Sequence, residues 1–398
     1  MLELEEALKR LLATVPPPTS ELVPLSGAHD RVLLENVVSQ VELPPFDNSA
    51  MDGYAVRAAD VAKATADAPT KLSLAGRAAA GEVFQGEISA GQCVRLFTGS
   101  QLPKGADSVV MQEDTRIEND EVLILEPVKP WENVRLCGED IKRGASLGQR
   151  GDILTAGRLG LLAATGLKTV TVGRKPIVAL LATGSELLEP GQPLGPGQIY
   201  ESNRLALATL VQNAGAIPKV FPLVPDDPGL TRAALEAAFH ECDAVVTSGG
   251  VSVGEMDFVK QAFEEAGGSL EFWRVAIKPG RPFVFGRLGQ KLLFGLPGNP
   301  VSAFVTFLML VRPALRQWQG AADITLPAHQ GVLGEPLAND GNRRHFVRVR
   351  VNADGKVWSA GTQASHMLSS LGAANALLDL APQAALPAGA NVKVLRWE

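Results

Sequence analysis

Cysteine is scarce in this 398-residue chain. The three present, Cys93, Cys137 and Cys242, are far apart and odd in number, so neither a disulfide framework nor a Cys-x-x-Cys metal site is indicated. Long apolar runs are missing too: no stretch approaches the roughly 18 uninterrupted apolar residues of a spanning helix. The opening MLELEEALKRLL is acidic and amphipathic, with no basic segment leading into an apolar one, so the expectation is a cytoplasmic protein without a secretory signal. Excess positive charge is also lacking. A formal net charge of −6 and a pI near 5.6 argue against bulk nucleic-acid binding while leaving local basic pockets open. Aromatics make up only 5%, which leaves few stacking platforms. None of the five histidines stands at a metal-ligand spacing from Cys or Glu, and no nucleophile–base arrangement can be read. Neither GxxxxGK[ST] nor GxGxxG occurs, so P-loop and dinucleotide readings have no support.

What is present is ordinary globular material, 46% apolar and 20% charged, and at about 100–200 residues per domain the length predicts two to four domains. Leu2, Leu8, Leu11 and Leu12 fall near one face of a first helix, which Pro16–Pro18 stops. From about Val41 to Asp140, short apolar runs alternate with Gly, Pro and Asn-Asp turns, predicting an all-β unit. A turn-rich and then helical segment follows at 148–166, with Leu159, Leu161 and Leu162 as its expected buried positions. Between Lys175 and about Gly320, apolar strands such as IVALLATG and DAVVTSGG alternate with helical stretches, which predicts a mostly parallel sheet covered on both faces. Asn299 and Pro300 are placed to cap and start the helix VSAFVTFLML. After about Ala322, short strands with polar turns predict a small β-barrel or sandwich.

Ligands of open α/β sheets bind beyond the carboxyl ends of the strands. Three such ends carry glycine turns here: ATGSEL with Glu186, TSGGVSVGEMDF with Ser248, Gly249, Gly250 and Asp257, and GLPGNP with Pro297. Such turns expose backbone N–H groups that suit an oxyanion, and carboxylates beside them suit Mg²⁺ bridging to phosphates. Each turn taken singly is equally an ordinary strand–helix connection. IKPGRPF sets Lys278 and Arg281 around a Pro-Gly turn, where two cations could hold an oxyanion or simply be solvated. Arg344, Arg348 and Arg350 share a strand face with Arg343 on the other, and a basic face of this kind is usually solvated. FDNSAMDGYAVR, 46–57, is dense in turn chemistry.

Taken together, FDNSAMDGYAVR, RLFTGSQLPKGADSVVMQED, GEDIKRG, ATGSEL, TSGGVSVGEMDF, IKPGRPF and GLPGNPVSAF resemble, in order and spacing, the MoeA-type molybdopterin molybdenumtransferases and the related gephyrin-like domains. The resemblance covers nearly the whole chain. It implies a multi-domain α/β-plus-β architecture. An elongated N-terminal domain would come from 1–40 and 143–174, an inserted β-rich domain from 41–142, an α/β molybdopterin-binding domain from 175–321 and a C-terminal β-barrel from 322–398. It further implies an enzyme that takes molybdate and molybdopterin adenylate, releases AMP and leaves molybdenum on the dithiolene sulfurs, with Mg²⁺ assisting. By resemblance Glu186, Asp226 and Asp257 are the acids of the α/β cleft, with Glu186 and Asp257 as metal ligands. Arg274, Lys278 and Arg281 are its basic positions, and Asp52, Thr98, Arg135 and Asp140 belong to the inserted domain's site. Arg343, Arg348 and Ser365 match C-terminal positions tied to the metal oxyanion. The family commonly has Lys where this chain has Arg281, and further basic residues where it has Leu136-Cys137. Members are usually homodimers, which implies a composite site with Asp52 from one subunit and Asp257 from the other. The adenylyltransferase that supplies the substrate is a further expected partner; nucleic acid and membrane are not. The competing readings are a gephyrin-type scaffold that holds a partner peptide and an adenylyltransferase acting on molybdopterin itself.

Overall fold

The computed structural model describes residues 1–250 and 258–397. They group into two compact units: one holds 36–149 and 155–168, the other 1–35, 150–154 and the chain from 169 onward.

The larger unit is built on a six-stranded sheet in the order Ile217–Val220, Ile177–Ala182, Ala244–Ser248, Lys291–Leu296, Pro282–Leu288, Ser269–Arg274. Only Pro282–Leu288 runs against the rest, so the sheet is mostly parallel as expected. Its three central strands, Ile177–Ala182, Ala244–Ser248 and Lys291–Leu296, read as nearly unbroken apolar runs because both faces are buried. Val178 and Leu180 point to one core, where they meet Leu207, Leu210 and Val211 of the helix Asn203–Asn213 and Val301 and Val305 of Pro300–Thr306. Ala179 and Leu181 point to the other, against Leu235 and Phe239 of Pro228–Glu241 and Phe263 of Val259–Glu265. Each fully buried leucine or phenylalanine there stabilises the fold by about 2–3 kcal/mol of transfer free energy.

The first helix, Leu4–Leu12, packs into the same core as Val178. It buries Leu4, Ala7 and Leu11, and leaves Leu2, Leu8 and Leu12 only partly covered. All four leucines expected on one face pack on this core, Leu11 within it and the other three at its edge, with Leu4 and Ala7 completing the buried stripe. Asn299 occupies the cap position of Pro300–Thr306, yet its side chain makes no cap hydrogen bond. That helix continues through a π-helical turn, Phe307–Val311, into Arg312–Trp318.

Beyond it a closed five-stranded barrel forms. Arg344–Val351 pairs with Lys356–Ser359, then Ala328–Leu333, Asn391–Arg396 and Ala376–Leu380 follow, and the last returns to Arg344–Val351. Val347 and Val349 fill its interior with Val357, Leu378 and Val394. Residues of the opposite parity point outward, and Phe346 joins the α/β core.

The smaller unit carries a six-stranded sheet in the order Ser108–Met111, Gly53–Val56, Gln92–Leu96, Thr70–Ala78, Glu121–Ile124, Thr115–Glu118. Pairing is antiparallel except between Thr70–Ala78 and Gln92–Leu96. Tyr54, Val56 and Val110 face one core, and Ala55, Val94 and Val109 the other. The helix Ala156–Ala164 is capped by the Thr155 side chain. It buries only Leu162 of the three leucines expected there.

Candidate active site

Where the parallel strands end, their turns enclose a cavity of about 670 Å³. Glu186 lies in the turn after Ile177–Ala182, Asp226 in the loop after Ile217–Val220, and Ser248, Gly249 and Gly250 close Ala244–Ser248. Pro297, Gly298 and Asn299 contribute from the end of Lys291–Leu296. Six residues chosen from sequence, Glu186, Asp226, Ser248, Gly249, Gly250 and Pro297, thus line one space. Asp257 lies outside the described residues.

Hydrogen bonds fix the walls. The Asp226 Oδ2 accepts from the Ser185 N–H at 3.0 Å while the Asp226 N–H donates to Ser185 Oγ at 2.9 Å, so the loop with Asp226 is clasped to the turn with Glu186. Asn203 Nδ2 donates to Ser248 Oγ at 2.6 Å and to the Gly298 carbonyl at 2.7 Å, joining two glycine turns through the first residue of a helix. Gly249 adopts φ +93°, and a Cβ there would stand 2.6 Å from the Thr183 carbonyl. The turn therefore needs glycine. The Thr183 hydroxyl is buried and has no hydrogen-bond partner among the described residues.

Sequence reasoning missed Tyr200, Asn203, His366 and Leu368, all of which line the cavity. No motif marks Tyr200 or Asn203, whereas His366 and Leu368 lie in QASHMLSS beside Ser365, which the resemblance had marked. The last two come from the barrel's 360–372 segment, whose Ser365 carbonyl accepts from the Val301 N–H at 3.2 Å.

The basic residues divide by environment. Lys278 and Arg281 are exposed on the turn before Pro282, itself a cavity residue. Arg343 donates to the Ile277 carbonyl at 2.9 Å, and burial together with nearby Arg281 lowers its pKa. Arg274 ends its strand, half-buried, and its carbonyl accepts from the Leu2 N–H at 3.0 Å. Arg348 is not part of a solvated basic face. It is fully buried and donates to Ser370 Oγ at 2.8 Å and to the Thr362 and Ala364 carbonyls at 2.9 and 3.2 Å, while its Nη1 has no partner. Burial pushes its pKa down to about 10. Parity placed it on the outer face of the barrel correctly, but the 362–370 segment covers that face. Arg344, on the same face, is held by Asp379 and Glu5.

Residues Asp52, Thr98, Arg135 and Asp140 all lie in the smaller unit. Asp52 and Thr98 come together: Asp52 Oδ1 accepts from the Thr98 N–H and hydroxyl, both at 2.8 Å. The backbone bond, then the hydroxyl, hold its carboxyl below the usual range. Arg135 pairs in register with Asn48, and the Asp140 N–H donates to the Leu43 carbonyl at 3.1 Å, so the 135–140 segment runs along 43–48. Both side chains are exposed. Cys137 lies between them, its N–H donating to Asp47 Oδ1 at 2.7 Å.

With this geometry in hand, three family models match the chain: the MoeA N-terminal region (domain I and II) over 2–166, the probable molybdopterin binding domain over 179–317 and the MoeA C-terminal region (domain IV) over 330–397. The chain is 38% identical to the molybdopterin molybdenumtransferase of Haemophilus influenzae, covering 96% of itself and 94% of that protein. It is 40% identical to molybdopterin molybdenumtransferase 2 of Mycobacterium tuberculosis, covering 94% of each. The crystal structure of the molybdopterin biosynthesis MoeA protein from Pyrococcus horikoshii OT3 superposes with a TM-score of 0.84 at 33% identity, over 100% of both chains. Identity of this level across nearly the full length, on one shared fold, shows that the chain belongs to the family of MoeA-type molybdopterin molybdenumtransferases.

Proposed function

We propose that this chain transfers molybdenum from molybdate to adenylylated molybdopterin and releases AMP. The observation that carries the reading is the cavity at the strand ends, where Glu186, Asp226 and the glycine turns at 248–250 and 297–299 meet, with Pro282 bringing the Lys278–Arg281 turn to its edge. A volume of about 670 Å³ falls within the roughly 300–1,000 Å³ of small-molecule sites. The relatives' names supply the substrate class.

Each part has a task. The Gly250 N–H suits a phosphate oxygen, which needs a donor that does not have to reorganise, while the Gly249 N–H donates to the Leu296 carbonyl at 3.1 Å and fixes the turn. Lys278, Arg281 and Arg343 supply positive charge for the molybdate dianion. Arg348, anchored in the 362–370 segment, holds His366 and Leu368 against the cavity. Among the described residues no three acidic, His or Cys side chains gather as a ready-made metal site. Mg²⁺, however, takes one or two carboxylates together with substrate phosphates, and Glu186 and Asp226 fit that donor set, with Asp257 joining them by family resemblance. Bound with the substrate, such an ion would neutralise pyrophosphate charge.

The purified chain is incubated with molybdopterin adenylate and AMP is measured with and without molybdate. AMP release only when molybdate is present is expected. Release independent of molybdate would reject the transfer; consumption of ATP with molybdopterin would point to adenylylation instead, and no turnover at all to a scaffold.

The homodimer with a composite site belongs to the same proposal. If Asp52 and Glu186 serve one site from different subunits, mixing Asp52→Asn with Glu186→Gln protein produces, after subunit exchange, hybrids with one intact site of two. Random exchange makes about half the dimers hybrid, so about a quarter of wild-type activity returns. A mixture that stays inactive despite confirmed exchange removes the composite site.

A further inference from the structure

Asn203, at the start of its helix, lines the main cavity; Leu210 and Asn213, at the other end, line a second and smaller one. Ten residues of helix separate the two by about 15 Å. The second cavity measures about 140 Å³ and three arginines line it: Arg312, Arg316 and Arg396. Arg312 and Arg316 stand one turn apart on the helix Arg312–Trp318, and Arg396 closes the last barrel strand.

What these guanidinium groups lack points to a ligand. Arg316 is more than nine-tenths buried, at 8% relative exposure, yet its Nε and Nη1 have no hydrogen-bond partner among the described residues. Only its Nη2 is used, donating to the Asn213 carbonyl at 2.9 Å. The Nε of Arg396 is likewise buried and unpartnered. Arg312 donates to the Ile324 and Thr325 carbonyls at 2.8 and 2.9 Å. None of the three forms an ion pair among the described residues. The nearest acid to Arg312, Asp323, is bound to the Thr325 N–H and hydroxyl. Burial accordingly drives Arg312 down to about 10 and lowers Arg316 as well. Asp30 is the acid that acts on Arg316, again without forming an ion pair with it, and three guanidinium groups lining one space without a paired carboxylate are costly to keep, because buried charge must be paired and every buried donor satisfied. Leu210, Leu308 and Trp397 keep the surroundings apolar, which strengthens any charge placed among them.

We propose that this cavity is a binding site for one small tetrahedral oxyanion of the phosphate class. Guanidinium forks match such oxygens, and three cations suit a dianion. The volume is well below the roughly 300–1,000 Å³ of sites for drug-sized ligands, so a nucleotide or pterin does not fit. The anion would bond at once to the helix 312–318 and to the last barrel strand, and so staple the barrel to the α/β domain. It is separate from the molybdate chemistry of the main cavity.

The test uses the full chain and inorganic phosphate at constant ionic strength set with chloride, read by titration calorimetry and thermal unfolding. Saturable binding and a phosphate-dependent rise in Tm are expected in the native protein. Arg316→Met should weaken the binding at least about tenfold, the loss of one charge-assisted hydrogen bond or more. Without phosphate the same variant should unfold close to the native protein, because the charge removed forms no ion pair and only the hydrogen bond to the Asn213 carbonyl is lost. Lys278→Ala, on the turn beside the main cavity, should keep the phosphate effect. Should Arg316→Met fail to fold, Arg396→Gln, at the rim of the same cavity, carries the test with the same expected direction. Absence of saturable binding in the native chain overturns the site. Binding lost in Lys278→Ala and retained in the arginine variants overturns it too, since the phosphate would then lie in the main cavity.

Discussion

Two regions of this molecule present acids to a ligand by opposite means. In the α/β domain, Glu186 and Asp226 stand on turns that the sheet itself delivers to one place, the carboxyl ends of adjacent parallel strands. Topology brings the two turns together, and the Asp226–Ser185 hydrogen bonds then clasp them. In the β-rich unit, Asp52 stands on an exposed turn and its Oδ1 is already bonded twice by Thr98. That pair is itself fixed by the Gly99 N–H donating to the Ser49 carbonyl at 2.8 Å and the Ser49 N–H to the Ser100 carbonyl at 2.9 Å. Hydrogen bonds do the positioning there. A site placed by topology should tolerate loss of a charge structurally and fail chemically, whereas a site placed by hydrogen bonds should lose order along with charge.

The sharpest break of this contrast is Glu186→Gln together with Asp226→Asn. Both nearly conserve shape, and the amide oxygen introduced by the second change can still accept from the Ser185 N–H. Molybdate-dependent AMP release should fall about a hundredfold or more, the scale of losing several kcal/mol of charge stabilisation, with the unfolding midpoint nearly unchanged. Unfolding of both variants would reverse the contrast and make these acids structural.

Two glycines probe the scaffolds directly. Gly53 lies between two antiparallel partners, and a Cβ there would stand 2.0 Å from the Val110 carbonyl. Gly53→Ala should cost about 3 kcal/mol or more by forcing strands apart, seen as early denaturant unfolding of the β-rich unit. Gly249→Ala meets the Thr183 carbonyl at a positive φ, and should cost about 1–3 kcal/mol while weakening substrate binding. Equal effects of the two on unfolding, with substrate binding intact, would mean that the cavity turn is no tighter than an ordinary connection.

How much of this was legible beforehand follows the same division. The central α/β strands could be read because burial on both faces imposes continuous apolar runs, and glycine turns at their ends marked five residues of the cavity, Asp226 being the sixth by resemblance. Asn203 and Tyr200 were invisible, since nothing in a local pattern reports that a helix start folds back over a strand end. Arg348 shows the limit from another side. Period-two alternation gave its face, but burial of that face depends on a later segment that carries no periodic signal. The cluster of Arg312, Arg316 and Arg396 is equally silent in sequence: two of its members are a turn apart on a helix and the third arrives from the last strand. The Asp52–Thr98 pair came from resemblance alone, because the spacing of the two residues has no meaning outside this sheet.

The smallest effect tests the hydrogen-bonded half of the comparison. Asp52 titrates below its ordinary value, chiefly through the Thr98 N–H and next through the Thr98 hydroxyl. A carboxylate with a depressed folded-state pKa contributes stability above its unfolded pKa and loses that contribution as pH falls through the folded one. The window therefore lies on the acid side of the ordinary aspartate range, near 3.9. Thr98→Val deletes the hydroxyl and keeps the N–H. The Asp52 midpoint, followed by carboxyl NMR during acid titration, should move upward but stop short of the ordinary value. The turn's backbone bonds to Ser49 should persist, visible as unchanged amide exchange of Ser49 and Gly99. A midpoint that does not move means the hydroxyl adds nothing, and the backbone alone presents Asp52. A midpoint that reaches the ordinary value means that the N–H bond was lost too, so that the hydroxyl was what held Thr98 and Asp52 together.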